Sequence, residues 1–240
     1  MNASSPGWQW RSQRGTSRSE NRDACGVFQS QTYTFSIIVD ASSKGKRGVS
    51  FNATWIGQLL TRLESGAPSM ESIVSWMREA QQSLIHQGFL HEKACYAALL
   101  LPNGSTTAHI LICGDCCVGY CPDGGQTEWL TTSHTLAKVC TELGIEGPAY
   151  RHQIVTRTLN VRRFDPPEVT TCDRAQRGTW LLATDGFRAG QSFPGSAPQD
   201  DCSCLRIGLG IEKRNESDSD NMLVRAIDHL RPDIIAKKLA

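Results

Sequence analysis

The 240-residue sequence lacks any apolar run that approaches the roughly 20 residues a membrane-spanning helix requires. Its first residues, MNASSPGWQWRSQRGTSRSENRD, include arginines but no apolar stretch behind them, so we expect no signal peptide. A formal net charge of +1 gives no global attraction to nucleic acid or to an anionic membrane. These absences predict an intracellular, cytoplasmic protein with neither a nucleic-acid nor a membrane partner.

Cysteine, in contrast, is plentiful, with ten residues in the chain. Four of them lie in CGDCCVGYC, residues 113–121, and the C-x-x-C spacing is typical of zinc sites. The preceding AHILI predicts a strand, however, and side chains alternate between the two faces of a strand. Cys113 and the Cys116–Cys117 pair are therefore not expected to point at one centre. We favour thiols that fill space in the core, and a zinc-binding module stays open as an alternative.

Hydrophobic periodicity predicts strands, then two helices, then mostly strands. This order favours an α+β fold in which sheets pack together with helices outside. We expect a single domain over residues 18–240, preceded by a flexible Ser-, Arg- and Gln-rich lead-in over residues 1–17. The predicted elements in the first half are a hairpin over 24–40, helices over 55–63 and 73–84, and an antiparallel meander over 93–130. A short helix over 136–143, a strand pair over 166–173 and 178–185, a strand after Asp200, a polar linker over 214–220 and a final helix over 221–240 follow.

Aspartates end or begin several of the predicted apolar strands. Asp40 follows SIIV, Asp115 follows ILICG, Asp185 follows WLLAT and Asp200 precedes CSCLRIGL. Carboxylates at strand ends can converge on one rim of a sheet, where they repel one another unless a hard cation lies between them. A single aspartate of this kind is more often a turn former. Together, the four favour a site for Mg²⁺ or Mn²⁺.

Five segments, taken in order, resemble the metal-dependent serine/threonine protein phosphatases of type 2C. ATDGF is the most specific of them, and the resemblance extends from about Arg18 to Gly210. The segments are RSENRDACGVF, FSIIVDASSKGKRG, ILICGDCCVGYC, WLLATDGF and DDCSCLRIGL. The resemblance implies an α-β-β-α sandwich of two mostly antiparallel sheets flanked by helices.

The resemblance also implies a reaction, the hydrolysis of phosphoserine or phosphothreonine in proteins by a hydroxide that two metal ions bridge. The implied cofactors are two or three Mg²⁺ or Mn²⁺ ions, and the implied partners are a phosphoprotein substrate and an associated serine/threonine kinase or its targets. The resemblance implies that Asp40 bridges the two ions, that Asp185 and Asp200 are metal ligands, and that Ala41 supplies a carbonyl ligand. It also implies that Asp115 supports a further, weaker metal, that Asp23 orients metal-bound water, and that Arg18 binds the phosphate.

Three departures from the family pattern put activity in doubt. Arg22 stands where the family has Glu or Gln, and its charge would repel the second ion unless the side chain turns outward. Ala41 carries a Cβ where the family has glycine. The stretch from Asp185 to Asp200 is short, so the helical flap often found there is reduced or absent. A catalytically weak or inactive relative that binds phosphoproteins is therefore an alternative, and Asp201 or Asp220 could replace Asp200 as the last ligand.

Overall fold

The computed structural model describes residues 5–146, 154–175, 177–190 and 198–227, which contain thirteen strands and four α-helices. Two sheets stack face to face. The strands of the first sheet, in spatial order, are β12 (Arg214–Ser217), β1 (Gly7–Gln13), β11 (Cys202–Gly208), β10 (Gly178–Ala183), β6 (Cys117–Pro122) and β7 (Glu128–Trp129). The strands of the second sheet are β13 (Met222–Ala226), β2 (Asp23–Gln29), β3 (Tyr33–Ala41), β4 (Lys93–Pro102), β5 (Thr107–Cys113) and β9 (Glu168–Asp173), and β8 (Leu159–Asn160) pairs with β4.

The pairs β1–β12 and β2–β13 are parallel, and the other pairs among these strands are antiparallel. Side-chain alternation along the strands divides the apolar residues between layers. In β3, Ile38 faces the layer between the sheets, whereas Ile37 and Val39 face the helices outside the second sheet. This alternation produces the stacked arrangement.

Helices α1 (Gly48–Leu63) and α2 (Met70–Ser83) cover the outer face of the second sheet. The buried residues of α1 recur at helical spacing, and Trp55 packs on Tyr96 of β4 with 4.9 Å between ring centroids. Ser69 caps α2 by accepting a hydrogen bond from the Ser72 amide. The two shorter helices are α3 (Leu136–Leu143) and α4 (Asp185–Gly190). Among the described helices, none is long and apolar enough to cross a membrane.

The fold class, the helices predicted over 55–63, 73–84 and 136–143, and the hairpin that ends at Asp40 are confirmed. Within the predicted meander, the β4–β5 and β6–β7 hairpins are also confirmed. The predicted continuation from β5 to β6 and the predicted pairing of β9 with β10 are wrong. Gly114, with φ of 107°, turns the chain after β5 so that β6 enters the other sheet rather than continuing a meander. Likewise β9 pairs with β5, whereas β10 pairs with β6 and β11.

Both ends of the described chain also differ from expectation. Residues 7–13 of the predicted flexible lead-in form β1, because Trp10 is fully buried between the sheets. Residues 214–217 of the predicted linker form β12, which pairs with β1. Met222–Ala226, predicted to be helical, instead pairs in parallel with β2, since short apolar runs fit either periodicity. The rest of that predicted helix lies outside the described residues from 228 onward.

Candidate functional site

Asp23 and Asp40 lie directly opposite each other on the antiparallel pair β2–β3. Cys95 of β4 is the next residue in the same row, opposite Asp40. Directly paired residues project from the same face of a sheet, so the register brings the two carboxylates and the thiol together. Asp23 is buried, and Thr184 Oγ1 donates a hydrogen bond of 3.1 Å to its Oδ2.

Asp115 follows the turn at Gly114, which brings it to the edge of the second sheet, or rim, where Asp23 and Asp40 lie. A Cβ on Gly114 would lie 2.3 Å from Cys95 Sγ, so only glycine allows this approach. The Gly114 amide donates to His134 Nδ1 at 3.1 Å, and the His134 amide donates to the Gly114 carbonyl at 2.8 Å. The turn that carries Asp115 is thereby fixed on both sides.

Asp185 begins α4 immediately after β10 and is open to solvent. The preceding residue, Thr184, accepts a hydrogen bond from the Ser203 amide and also donates to Asp23. This link joins the end of β10 to the start of β2 across the two sheets. Asp185 is thereby held beside the row that contains Asp23 and Asp40.

Asp200 and Asp201 have different roles. Asp200 is half-buried and forms a bidentate salt bridge with Arg18. Arg18 Nε donates to Asp200 Oδ1 and Arg18 Nη2 donates to Asp200 Oδ2, each at 2.6 Å. Asp201 is buried and accepts hydrogen bonds from the amides of Gly15 and Arg22, each at 2.9 Å. Asp201 therefore holds the 15–22 segment in place. Of the alternatives to Asp200, Asp201 is engaged by backbone, and Asp220 is exposed in the turn after β12.

The electrostatics show that the carboxylates converge. Burial raises the pKa of Asp40 well above its ordinary value, and repulsion from Asp23, Asp185, Asp115 and Asp200 raises it further. Burial also raises the pKa of Asp23, with repulsion from Asp201 and Asp185 adding to it. Asp185 is exposed as a whole residue, but protein atoms surround its carboxyl group, and this local burial, followed by repulsion from Asp115 and Asp200, raises its pKa to about 6. Such mutual repulsion is what a cation between the groups would relieve.

The donor chemistry fits a hard divalent cation, since the rim offers carboxylate oxygens and Asp23 Oδ1 is buried with no hydrogen-bond partner. The arrangement does not yet form a site. Within the described residues, no three His, Cys, Asp or Glu side chains lie where they could jointly hold a metal ion as they stand. Arg18 engages both oxygens of Asp200. Asp200 must therefore exchange Arg18 for an ion before it can act as a ligand.

The two departures next to Asp23 and Asp40 have structural explanations. The Arg22 guanidinium donates from Nη1 to the carbonyls of Ser42 and Gly45, at 2.9 and 2.7 Å, and pairs with Glu20 at 2.9 Å. It thus lies against the loop after β3. Ala41 ends β3, and its methyl group is buried in the helix-side core, so its Cβ is accommodated as part of a strand.

The cysteines of residues 113–121 are divided among different layers. Cys113 packs in the helix-side core, Cys116 between the sheets and Cys117 on the outer face of the first sheet. Cys121 is partly exposed and lies near the Gly125 carbonyl. Of the other three, only Cys121 lies on the same face as Cys117, so the segment offers no common centre for zinc. The expectation that they pack as thiols agrees with this placement.

Several site residues had no signal in the sequence. Cys95 becomes a neighbour of Asp40 only through the β3–β4 register. Asn221 accepts a hydrogen bond of 2.9 Å from Trp10 Nε1 and donates one of 2.8 Å to the Asp23 carbonyl, and so connects β1 to β2. Thr184 could have been suspected, because it directly precedes Asp185 in ATDGF.

Solved serine/threonine phosphatases share this architecture. Stp1 from Staphylococcus aureus is 16% identical with a TM-score of 0.68, over 87% of this chain and 97% of that one. MsPP from Mycobacterium smegmatis, a PPM phosphatase in complex with cacodylate, is 19% identical with a TM-score of 0.67, over 87% and 100%. The catalytic domain of PstP in complex with two manganese ions is 17% identical with a TM-score of 0.63, over 85% and 98%.

No protein-family model matches the sequence, and neither does any curated protein. At these low identities the structural likeness establishes the fold. The chain has the type 2C phosphatase fold, and the resemblance that its motifs indicated is confirmed at that level. The roles of individual site residues stay predictions.

Proposed function

We propose that the protein hydrolyses phosphoserine or phosphothreonine in proteins with the help of Mg²⁺ or Mn²⁺. The observation that supports this most is the convergence of Asp23, Asp40, Asp115 and Asp185, from four separate chain segments, on one rim of a fold that solved serine/threonine phosphatases share. Fold alone does not define an activity, so the proposal depends on these side chains.

In this proposal, each side chain has a separate role. Asp40 and Asp185 would hold the ions, with Asp115 nearby and Asp200 joining after it leaves Arg18. When bound, such ions activate water and place positive charge against the phosphate. Asp23 would accept a proton or a hydrogen bond, and this role is supported by its contact with Thr184 and its unpartnered Oδ1. Arg18, once released from Asp200, presents a planar fork that matches two phosphate oxygens.

The test is Mn²⁺-dependent release of phosphate from an aryl phosphate and from a phosphoserine peptide. Asp185→Asn should lower turnover by about two orders of magnitude or more, because it removes a charged ligand at the reacting centre. Asp123→Asn, which neutralises an exposed aspartate in the β6–β7 turn, is the matched control. Turnover by Asp185→Asn at the control's rate would contradict the proposal.

A catalytically weak, phosphoprotein-binding protein is the second candidate. It is favoured by one specific observation, the contact of Arg18 with both oxygens of Asp200. If Mn²⁺ fails to bind at millimolar concentration while a phosphopeptide still binds in a fluorescence anisotropy titration, this second candidate replaces the first.

A further inference from the structure

Four cationic residues lie on segments next to the end of β3, where Asp40 is located. Lys44 and Lys46 lie in the loop between β3 and α1, Lys93 opens β4, and Arg162 follows β8. All four residues are exposed. Within the parts of the chain that the structure describes, none of the four takes part in an ion pair, whereas nearby Arg22 and Arg163 do. We name this set the basic rim.

Backbone contacts place the members of the basic rim next to one another. The Ser42 amide donates to the Lys93 carbonyl at 2.9 Å, which joins the β3–α1 loop to the start of β4. Lys93 is paired with Asn160 of β8. Asn160 Oδ1 in turn accepts a hydrogen bond of 3.1 Å from the Arg162 amide. The backbone segments that carry the four charges therefore adjoin one another along one edge of the second sheet.

The loop that carries Lys44 and Lys46 is held by buried groups. Glu92 is 4% exposed and accepts hydrogen bonds from the amides of Lys46 and Arg47, at 2.9 and 3.0 Å. On the other side, Arg22 binds the carbonyls of Ser42 and Gly45. With its backbone fixed, the loop presents the two lysine side chains to solvent at little further cost in loop entropy.

A concentration of positive charge at this point is a local feature, because the net charge of the whole chain is only +1. The acidic side chains on the same segments as the basic rim are already engaged. Glu92 accepts backbone amides, and Asp165 pairs with Arg163 at 2.8 Å. The rim therefore fits a partner that supplies carboxylates or additional phosphates.

We propose that the basic rim selects phosphoprotein segments in which acidic or phosphorylated residues flank the residue to be hydrolysed. This inference rests on the proposed function, since it assigns the substrate class of the same site. Lys44 is four residues beyond Asp40, and the turn that the Gly45 amide closes on the Ser42 carbonyl keeps the two within the roughly 14 Å of a fully extended segment. An extended peptide advances roughly 3.3 Å per residue, so the acidic positions that the rim recognises should lie within about four residues of the phosphoserine.

The experiment compares two phosphoserine peptides that differ only in glutamates or glutamines within about four residues of the phosphoserine, tested on each side in turn. The wild-type protein should show kcat/KM about tenfold higher for the acidic peptide, as several exposed charge pairs of modest strength would give. The preference should shrink between about 0.05 M and about 0.5 M salt, because screening shortens the range of exposed charges.

The decisive variant replaces Lys44, Lys46, Lys93 and Arg162 together with glutamine. It should lose the preference while hydrolysing the aryl phosphate at the wild-type rate. A control variant carries four glutamines at exposed basic positions away from Asp40 and should keep the preference. These control positions are Arg177, Arg206, Lys213 and Arg214.

The outcomes distinguish failure of the basic-rim inference from failure of the proposed function. Equal kcat/KM for the two peptides, or a preference that survives in the rim variant, overturns the basic-rim inference and leaves phosphatase activity standing. If the wild-type protein does not hydrolyse the aryl phosphate, the proposed function fails, and the inference is then judged from peptide anisotropy alone. Binding to anionic phosphatidylserine vesicles that the rim variant abolishes, without any peptide preference, would assign the rim to a membrane surface and overturn the inference.

Discussion

Arg18 and Asp200 are joined by two parallel hydrogen bonds of 2.6 Å, the geometry in which a guanidinium binds a carboxylate most strongly. The segment that carries Arg18 is attached to the segment before Asp200, because the Thr16 and Ser17 amides donate to the carbonyls of Pro198 and Gln199. A metal ion and Arg18 would therefore compete for the same two oxygens. On the proposed function, an ion that takes Asp200 frees Arg18 for phosphate.

This competition predicts that Arg18→Ala binds Mn²⁺ more tightly than the wild-type protein. We expect a gain of up to about fivefold, since a partly exposed ion pair is worth up to about 1 kcal/mol. Phosphate binding in the presence of Mn²⁺ should weaken in the same variant. Both affinities can be measured by calorimetry without turnover.

Arg14→Ala is the control, because Arg14 lies in the same segment and its guanidinium donates to the Ser19 carbonyl rather than to Asp200. An unchanged Mn²⁺ affinity in Arg18→Ala would show that the ion does not use Asp200. That result would reopen the choice of the last ligand.

Asp185 gives a prediction for pH. Its pKa of about 6, against an ordinary value of 3.8, means that the folded protein favours the neutral acid. The metal-free protein should therefore lose stability as the pH rises from about 4 to about 6, and the penalty should be complete at higher pH. Asp185→Asn removes it and should raise the free energy of unfolding near neutral pH by about 1 kcal/mol, a value reduced for the exposure of the side chain.

The measurement is urea denaturation in the presence of a chelator across that pH range. The curve for Asp185→Asn should be flatter than that of the wild-type protein, whereas Asp123→Asn should follow the wild-type curve. Added Mn²⁺ should stabilise the wild-type protein and not Asp185→Asn. A variant that is less stable than the wild type in chelator would contradict the repulsion that the structure shows.

The sequence predicted the fold class and the elements near the acidic rim because the signals there are local. Strand alternation before Asp40 and the helical spacing in α1 are examples. It failed where structure depends on pairing between distant segments. Nothing local shows that Trp10 lies between the sheets or that Met222–Ala226 adds to β2, and a five-residue apolar run fits a helix as well as a strand.

The residues of the candidate site could likewise be predicted only in part from the sequence. Asp40, Asp115 and Asp185 could be suspected from their positions at strand ends. The Arg18–Asp200 pair and the placement of Cys95 could not, because contacts between separate segments are set by tertiary packing.

Asp201 should contribute to stability more than Asp200. Asp201→Ala leaves the Gly15 and Arg22 amides without their buried acceptor and should lower the free energy of unfolding by about 3 kcal/mol. Asp200→Ala breaks a partly exposed ion pair and should cost less than about 1 kcal/mol. Metal affinity should show the reverse order, with the larger loss in Asp200→Ala.

Thermal or chemical denaturation of the two variants checks the first statement and Mn²⁺ titration checks the second. If Asp201→Ala is the variant that loses Mn²⁺ while its stability is unchanged, then Asp201 is the ligand and the assignment of Asp200 is wrong.

The cysteines should differ widely in reactivity if they are packing residues rather than zinc ligands. Burial raises the pKa of Cys113 and Cys117 to about 12 and that of Cys202 to about 11, so their thiolate fractions near neutral pH are very small. Cys121 and Cys172 are only partly buried. Alkylation of the native protein, followed by mass spectrometry, should therefore label Cys121 and Cys172 first.

The remaining thiols should react at a rate limited by unfolding, and denaturant should expose them together. A Cys113→Ser, Cys116→Ser double variant should have the same metal content as the wild-type protein, because those two side chains lie in different layers of the core. Stoichiometric zinc that is lost in this double variant but kept in Asp185→Asn would instead establish a cysteine-bound metal, and the packing of residues 113–121 would then have to differ from the arrangement described above.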